Sequence, residues 1–343
     1  MWLQSRNKKN LVRRTRYKQY QKYCRTAKKS LYSKQNDFKN FNQLTKRYEF
    51  KVPLDFSFLT NPEETISFFN EMILLIRKKE KMQFTIYIDI AGVKHLTIDA
   101  LMYLLAIINN MRNIFKRKVS IMGNSPLDSE INRLFKESGF FNYVKTNSVV
   151  PISKNSDKIQ IISGKNSDTR IARQISDFVS LKLGLSRSEC SFIYIMMIEL
   201  MSNTFKHAYN GKGLFSNRWY CFCKYDRTEQ RVAFTFMDVG AGIPTTVRKN
   251  FIEKLDILKL KGEHQYVISA LEGKFRTNTE LKYRGKGLPK IHETCKSRKI
   301  INMRIVTNRA DVKDDGVNIK GSELSTSLCG TLYYCELRKG VLL

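Results

Sequence analysis

Acidic side chains are scarce in this chain: 31 Asp and Glu face 61 Lys and Arg, a formal net charge of +30 over 343 residues. Metal-ligand patterns are missing as well. Seven cysteines contain no C-x-x-C pair, only Cys221 and Cys223 lie close together, and the four histidines are widely scattered. That set supports neither a zinc ribbon nor a disulfide scaffold, and reduced, cytoplasmic cysteines are expected. Long apolar runs are absent too. The stretch Ala100–Ile108 falls far short of the roughly 20 residues that a bilayer crossing needs. The basic start, MWLQSRNKKNLVRRTRYK, has no apolar segment behind it, so neither a secretory signal nor a membrane is expected. No G-x-x-x-x-G-K-[ST] occurs, which excludes a P-loop. No internal repeat or low-complexity tract is evident.

What is present begins with the placement of the charge. Residues 1–50 hold 15 Lys and Arg against two acids, Asp37 and Glu49. Tyr17, Tyr20, Tyr23, Tyr32, Phe38 and Phe41 are interleaved with them. Cations mixed with rings suit phosphate contacts and base stacking, or a basic helix lying across an acidic partner. A solvated extension fits the same composition.

Residues 51–150 read as β-α-β-α. A helix follows Asn61-Pro62-Glu63-Glu64, with Asn61 as cap and Pro62 in the first turn. A strand FTIYIDIAGV (84–93), a helix over Asp99–Phe115, a strand VSIMG (119–123) and a short helix around Leu127–Ser138 come next. This alternation predicts a small parallel or mixed sheet with helices packed on it. The polar segment 145–168 is expected to be a linker. Beyond it lie an amphipathic helix at 169–183, an apolar helix containing IELMSNTFKHAY, strands near 217–225 and 231–238, and a closing strand in GTLYYCELRKG.

The helix IELMSNTFKHAY has a polar face. At about 100° per residue from Glu199, Asn203 lies at roughly 40°, Lys206 at roughly −20° and His207 at roughly 80°. Met197, Met201 and Ala208 take the opposite side, with Phe205 and Ile198 beside them. Downstream, Asp238-Val239-Gly240-Ala241-Gly242-Ile243 follows an apolar strand. It lacks the third glycine of a dinucleotide fold, since position 245 is Thr. A carboxylate at a strand end can accept from an amino group of a base, while glycines let the base approach the backbone; a plain turn fits the same residues. Arg284-Gly285-Lys286-Gly287-Leu288-Pro289 precedes a helical segment. Free N–H groups at that helix start, with Arg284 and Lys286, form a candidate phosphate cradle.

In this order, Glu199-x3-Asn203-x2-Lys206-His207, then D-x-G-x-G, then G-x-G-L, then Gly330-Thr331, the residues resemble the GHKL superfamily. It includes histidine-kinase catalytic domains, gyrase-type ATPases and anti-sigma serine kinases. The resemblance covers about 165–338 and implies an α/β sandwich, a mixed sheet with helices on one face, that binds ATP and Mg²⁺. It further implies Asn203 as the Mg²⁺ ligand and Lys206 near the phosphates. Asp238 would be the adenine acceptor helped by Thr331, with Gly240, Gly242 and Ile243 shaping the base site. Arg284, Gly285, Lys286, Gly287 and Leu288 would form the phosphate lid, and Glu199 would be the general base. His207 is expected to be a packed residue, and His292, just past the lid, is not a phosphoacceptor.

The segment 51–150 is similar to STAS domains, the anti-sigma-factor antagonist fold. Where phosphorylatable members carry Ser-Gly-Leu, this chain has Asp99-Ala100-Leu101, so that phosphorylation is not expected. The expected organisation is therefore a basic extension (1–50), a STAS-like domain (51–150) and a GHKL domain (165–343). The expected activity is slow ATP hydrolysis that switches partner binding. A serine/threonine protein kinase is one alternative, and an ATP-gated nucleic-acid-associated effector, as in a bacterial defence system, is another. A protein partner through the STAS-like part, nucleic acid through the extension, and a homodimer complete the expectations.

Overall fold

A computed structural model describes residues 46–79, 82–115, 119–144, 157–207, 218–275, 287–297 and 300–338. The chain divides into two units, Met1–Lys46 and Arg47–Leu343, and the described fold belongs to the second. The extension expected at 1–50 therefore ends earlier. Residues Arg47–Lys51 form strand β1, parallel to β3 (Phe84–Asp89), which in turn pairs in parallel with β5 (Val119–Gly123). Two short strands, β2 (Asp55–Phe56) and β4 (His95–Leu96), form a separate parallel pair.

Helix α1 (Pro62–Lys78) starts on proline with Glu63 and Glu64 in its first turn and ends on Arg77 and Lys78, charges that complement the helix dipole. Asn61 does not cap it through its side chain. Its amide instead donates to Asp55 O at 3.0 Å and Glu64 Oε2 at 2.9 Å, tying the preceding loop. Helix α2 (Ile98–Phe115) is buried around its whole circumference from Ile98 to Ile108. A helix that is apolar all round needs cover all round. α2 finds it between two sheets, packing on β5 on one side and on β7 and β8 on the other. Helix α3 (Ser129–Glu137) begins at Asp128, whose carboxylate accepts from the N–H groups of Glu130 and Ile131.

The second sheet has five strands in the order β6-β7-β8-β10-β9: β6 (Lys158–Gly164), β7 (Trp219–Asp226), β8 (Arg231–Asp238), β10 (Ile319–Arg338) and β9 (Ile301–Asp314). Three expectations are corrected here. The 145–168 segment is not simply a linker, because β6 lies inside it and is an edge of this sheet, so the sheet starts at 158 rather than 165. All four pairings are antiparallel, so the sheet is not mixed. Helices also cover both faces rather than one. On one face lie α4 (Thr169–Leu183), α5 (Ser191–His207), α7 (Glu263–Leu271) and α8 (Gly287–Lys296), packed on Trp219, Cys221, Phe234 and Phe236. On the other, α1 and α2 share one core with Tyr220, Phe222, Met237 and Leu332. Alternation within each strand thus sends apolar groups both ways, which explains the unbroken run WYCFC.

Polar ties fasten the two halves where the apolar core ends. Glu63 accepts from Ser325 N at 2.7 Å and Thr326 N at 3.3 Å, and Asn70 donates to Ser327 O at 3.1 Å. Tyr103 donates to Cys329 O at 2.9 Å and Asn109 to the Tyr220 hydroxyl at 3.2 Å. Arg304, held by both oxygens of Asp311, donates to Leu59 O. Among the described residues no helix is long and apolar enough to cross a membrane. Six cysteines fall among them, all unpaired thiols, and burial pushes Cys221 and Cys335 up to about 12.

Candidate functional site

One rung of the five-stranded sheet carries the predicted base-binding residues. Gly164 faces Trp219, Trp219 faces Asp238, Asp238 faces Thr331, and Thr331 faces Thr307, so the rung crosses every strand. Neighbours opposite one another in an antiparallel pair have Cβ atoms about 5 Å apart, which sets Asp238 between an indole and a hydroxyl. Trp219 is fully buried, stacks on Phe236 and donates its Nε1–H to Asn166 O at 3.0 Å.

Asp238 is only 7% exposed. Its Oδ1 accepts the Gly240 N–H at 2.8 Å, and among the described residues Oδ2 has no hydrogen-bond partner. Burial pushes its carboxyl up to about 7, against the single backbone hydrogen bond that favours the charged form. A buried carboxylate with one oxygen fixed and one free is an acceptor in want of a donor, and an exocyclic base amine is such a donor. On this observation the residues fit an adenine group.

The loop after Asp238 is built by residues that the motif reading missed. Gly242 has φ +82°, and a Cβ there would lie 2.4 Å from Asn308 Oδ1. This glycine is thus required by the turn and by Asn308. Asn308 donates to Ala241 O at 3.0 Å and to Leu328 O at 3.3 Å, and accepts from the Thr245 hydroxyl at 3.1 Å. The Ile243 N–H, in the first turn of α6 (Ile243–Ile257), donates to the Thr307 hydroxyl at 3.0 Å. Thr307 also contacts Gly330 O at 2.9 Å and the Thr331 hydroxyl at 3.1 Å.

The second cluster sits on α5. Ile193, Met196, Met197, Leu200, Met201 and Thr204 are buried, while Glu199 and Asn203 are half-buried at the edge of that face. Phe205, expected beside the apolar face, is 54% exposed. A Cβ added to Gly287 would lie 2.7 Å from Glu199 Oε2, so this carboxylate rests against the first residue of α8. Among the described residues neither Glu199 nor Asn203 has a hydrogen-bond partner. Leu288 and Ile243 border the same small core of Val247, Leu255, Tyr266, Ala270 and Phe275, which links the start of α8 to the Asp238 loop. The side chains of Lys206 and His207, and the whole of Arg284, Gly285 and Lys286, lie outside the described residues.

No protein-family model matches this chain, and no curated protein is similar to it.

Other polar groups are accounted for by the fold. His292 is buried, with its Nδ1 2.6 Å from Asp314 Oδ2, which pins α8 to β9. Asp99, expected where STAS-like sequences carry a phosphorylatable serine, is 1% exposed. It accepts from Phe58 N at 3.1 Å, from Ala100 N at 2.9 Å and from the Thr97 hydroxyl. It satisfies a first-turn N–H of α2 and holds the loop before α1. Among the described residues no group of three or more His, Cys, Asp or Glu is placed to hold a metal ion.

Proposed function

We propose that the chain is a Mg²⁺–ATP-binding protein of the GHKL kind, acting in the cytoplasm as a slow ATPase whose nucleotide state controls partner binding. The observation that carries this reading is the buried Asp238 carboxylate, one oxygen held by Gly240 N–H and the other without a partner among the described residues, flanked by Trp219 and Thr331. Asn203 would hold the metal, and the polarised N–H groups at the start of α8 would face the phosphates. Glu199, beside Gly287 and without a hydrogen-bond partner among the described residues, would take the proton from the attacking water. Most of the acceleration in phosphoryl transfer comes from positioning and charge neutralisation, so a modest rate is expected from so few groups.

The test combines binding with the fate of the γ-phosphate. Mg²⁺–ATP should bind the full chain, and Asp238→Asn should weaken that binding by roughly tenfold or more, the loss of one charge-assisted hydrogen bond. Wild-type affinity in that variant removes Asp238 from the site. Free phosphate from γ-labelled ATP supports hydrolysis. Label on a protein hydroxyl instead would identify the protein-kinase alternative, which uses the same residues.

A further inference from the structure

The segment Ser325–Thr331 of β10 touches two parts of the protein at once. It lies within an irregular stretch, with register shifts against β9 between Glu323 and Leu328 and between Leu328 and Thr331. On one side it is held by α1 and α2, through Glu63, Asn70 and Tyr103. On the other it holds the loop that follows Asp238. The Cys329 thiol contacts Gly240 O at 3.7 Å, and Leu328 O accepts from Asn308. Gly330, at φ +124°, approaches so closely that a Cβ would lie 2.0 Å from Asp238 O. Cys329 takes part in both contacts, its carbonyl on Tyr103 and its thiol on Gly240.

In this arrangement Asp238 and Thr331 are only 7% and 3% exposed, so little of either is open to a base. Wider access needs the Asp238–Gly242 loop to move. That loop is pinned by Cys329 and Asn308, and Cys329 is pinned by α2. Resting on the reading of Asp238 as the base acceptor, we propose that docking of α1 and α2 on the five-stranded sheet holds the nucleotide site shut, and that nucleotide binding loosens this docking. The coupling must run both ways, because the free energy linking two binding events is common to both. The site's apparent affinity is reduced by the fraction of molecules in the shut arrangement, and releasing the docking removes that reduction.

The experiment uses the full chain, Mg²⁺ and a non-hydrolysable ATP analogue, with binding measured by calorimetry. Tyr103→Phe deletes one hydroxyl from a buried ring, and Glu63→Gln changes an exposed contact outside the core. Each should tighten analogue binding by about fivefold or more, the lower end of typical allosteric couplings. In the wild type, the analogue should speed amide exchange in the loop before α1 and in the first turns of α2. Unchanged or weaker binding in both variants, with the wild type binding normally, overturns the coupling and leaves the site standing. No binding to the wild type overturns the nucleotide reading and the coupling together.

Discussion

Helices α2 and α5 are 18 and 17 residues long, and both read as apolar stretches interrupted by polar side chains. Their interruptions differ in kind. In α2, Asp99 accepts the first-turn N–H of Ala100, Asn110 donates to Ala106 O at 2.7 Å and Asn109 reaches Tyr220, so polar groups there close on the protein itself. In α5, Glu199 and Asn203 lie on the half-buried side with no protein partner among the described residues. Burying a polar group is costly unless it is hydrogen-bonded, so satisfied polar groups in a buried helix fasten the fold. Polar groups at a half-exposed face keep their water and fasten nothing.

The largest expected effect breaks the comparison from the α2 side. Asp99→Ala should cost about 3 kcal/mol in urea unfolding, since it strands the donors of Phe58 and Ala100 in the core. Asp99→Asn, which keeps an acceptor, should lose about 1 kcal/mol. Near-wild-type stability for the alanine variant would mean that water reaches this position and that it is not a fastening.

The second effect concerns Asp238, which is buried like Asp99 but only half satisfied. Its folded carboxyl, pushed up to about 7, binds a proton that the unfolded carboxyl releases near 3.8. Between those values the native state binds more protons than the unfolded one, so stability falls as pH rises through the window and levels off above it. Asp238→Asn should remove that slope and make the protein more stable at pH 8, by up to a few kcal/mol. Identical pH profiles of unfolding for the two proteins would show that the carboxylate is well solvated. The nucleotide affinity of the wild type should rise over the same pH window, because only the ionised form accepts without also donating.

Much of this contrast was legible in the sequence, and some was not. β3, α2, β5, α4 and β8 lie close to where periodicity places them, because each has one dominant pattern over its whole length. The polar face of α5 was legible for the same reason. β1 was not, since RYEFK carries the charges of the basic stretch before it and only alternate residues turn inward. β9 was hidden by polar residues and by positive φ at Asn302 and Asn308, where no simple alternation survives. The cover on the sheet's second face could have been read from WYCFC, whose residues are all buried. Asn308 could not, because its partners in the Asp238 loop are 67 and 63 residues away and no local pattern marks them.

The smallest expected effect on stability sharpens the comparison from the α5 side. Glu199→Gln removes a charge but keeps the shape, and no described donor loses its partner. The carboxylate does lie beside the start of α8, where a negative charge is worth about 0.3–1 kcal/mol. The variant should therefore unfold within about 1 kcal/mol of the wild type. Its ATP hydrolysis should nonetheless fall by about 100-fold or more, the usual contribution of a positioned general base, with analogue affinity little changed. A large stability loss would place Glu199 with Asp99 as a fastening. Retained hydrolysis in a stable variant would leave Asp238 as the functional carboxylate and require another acceptor for the water's proton.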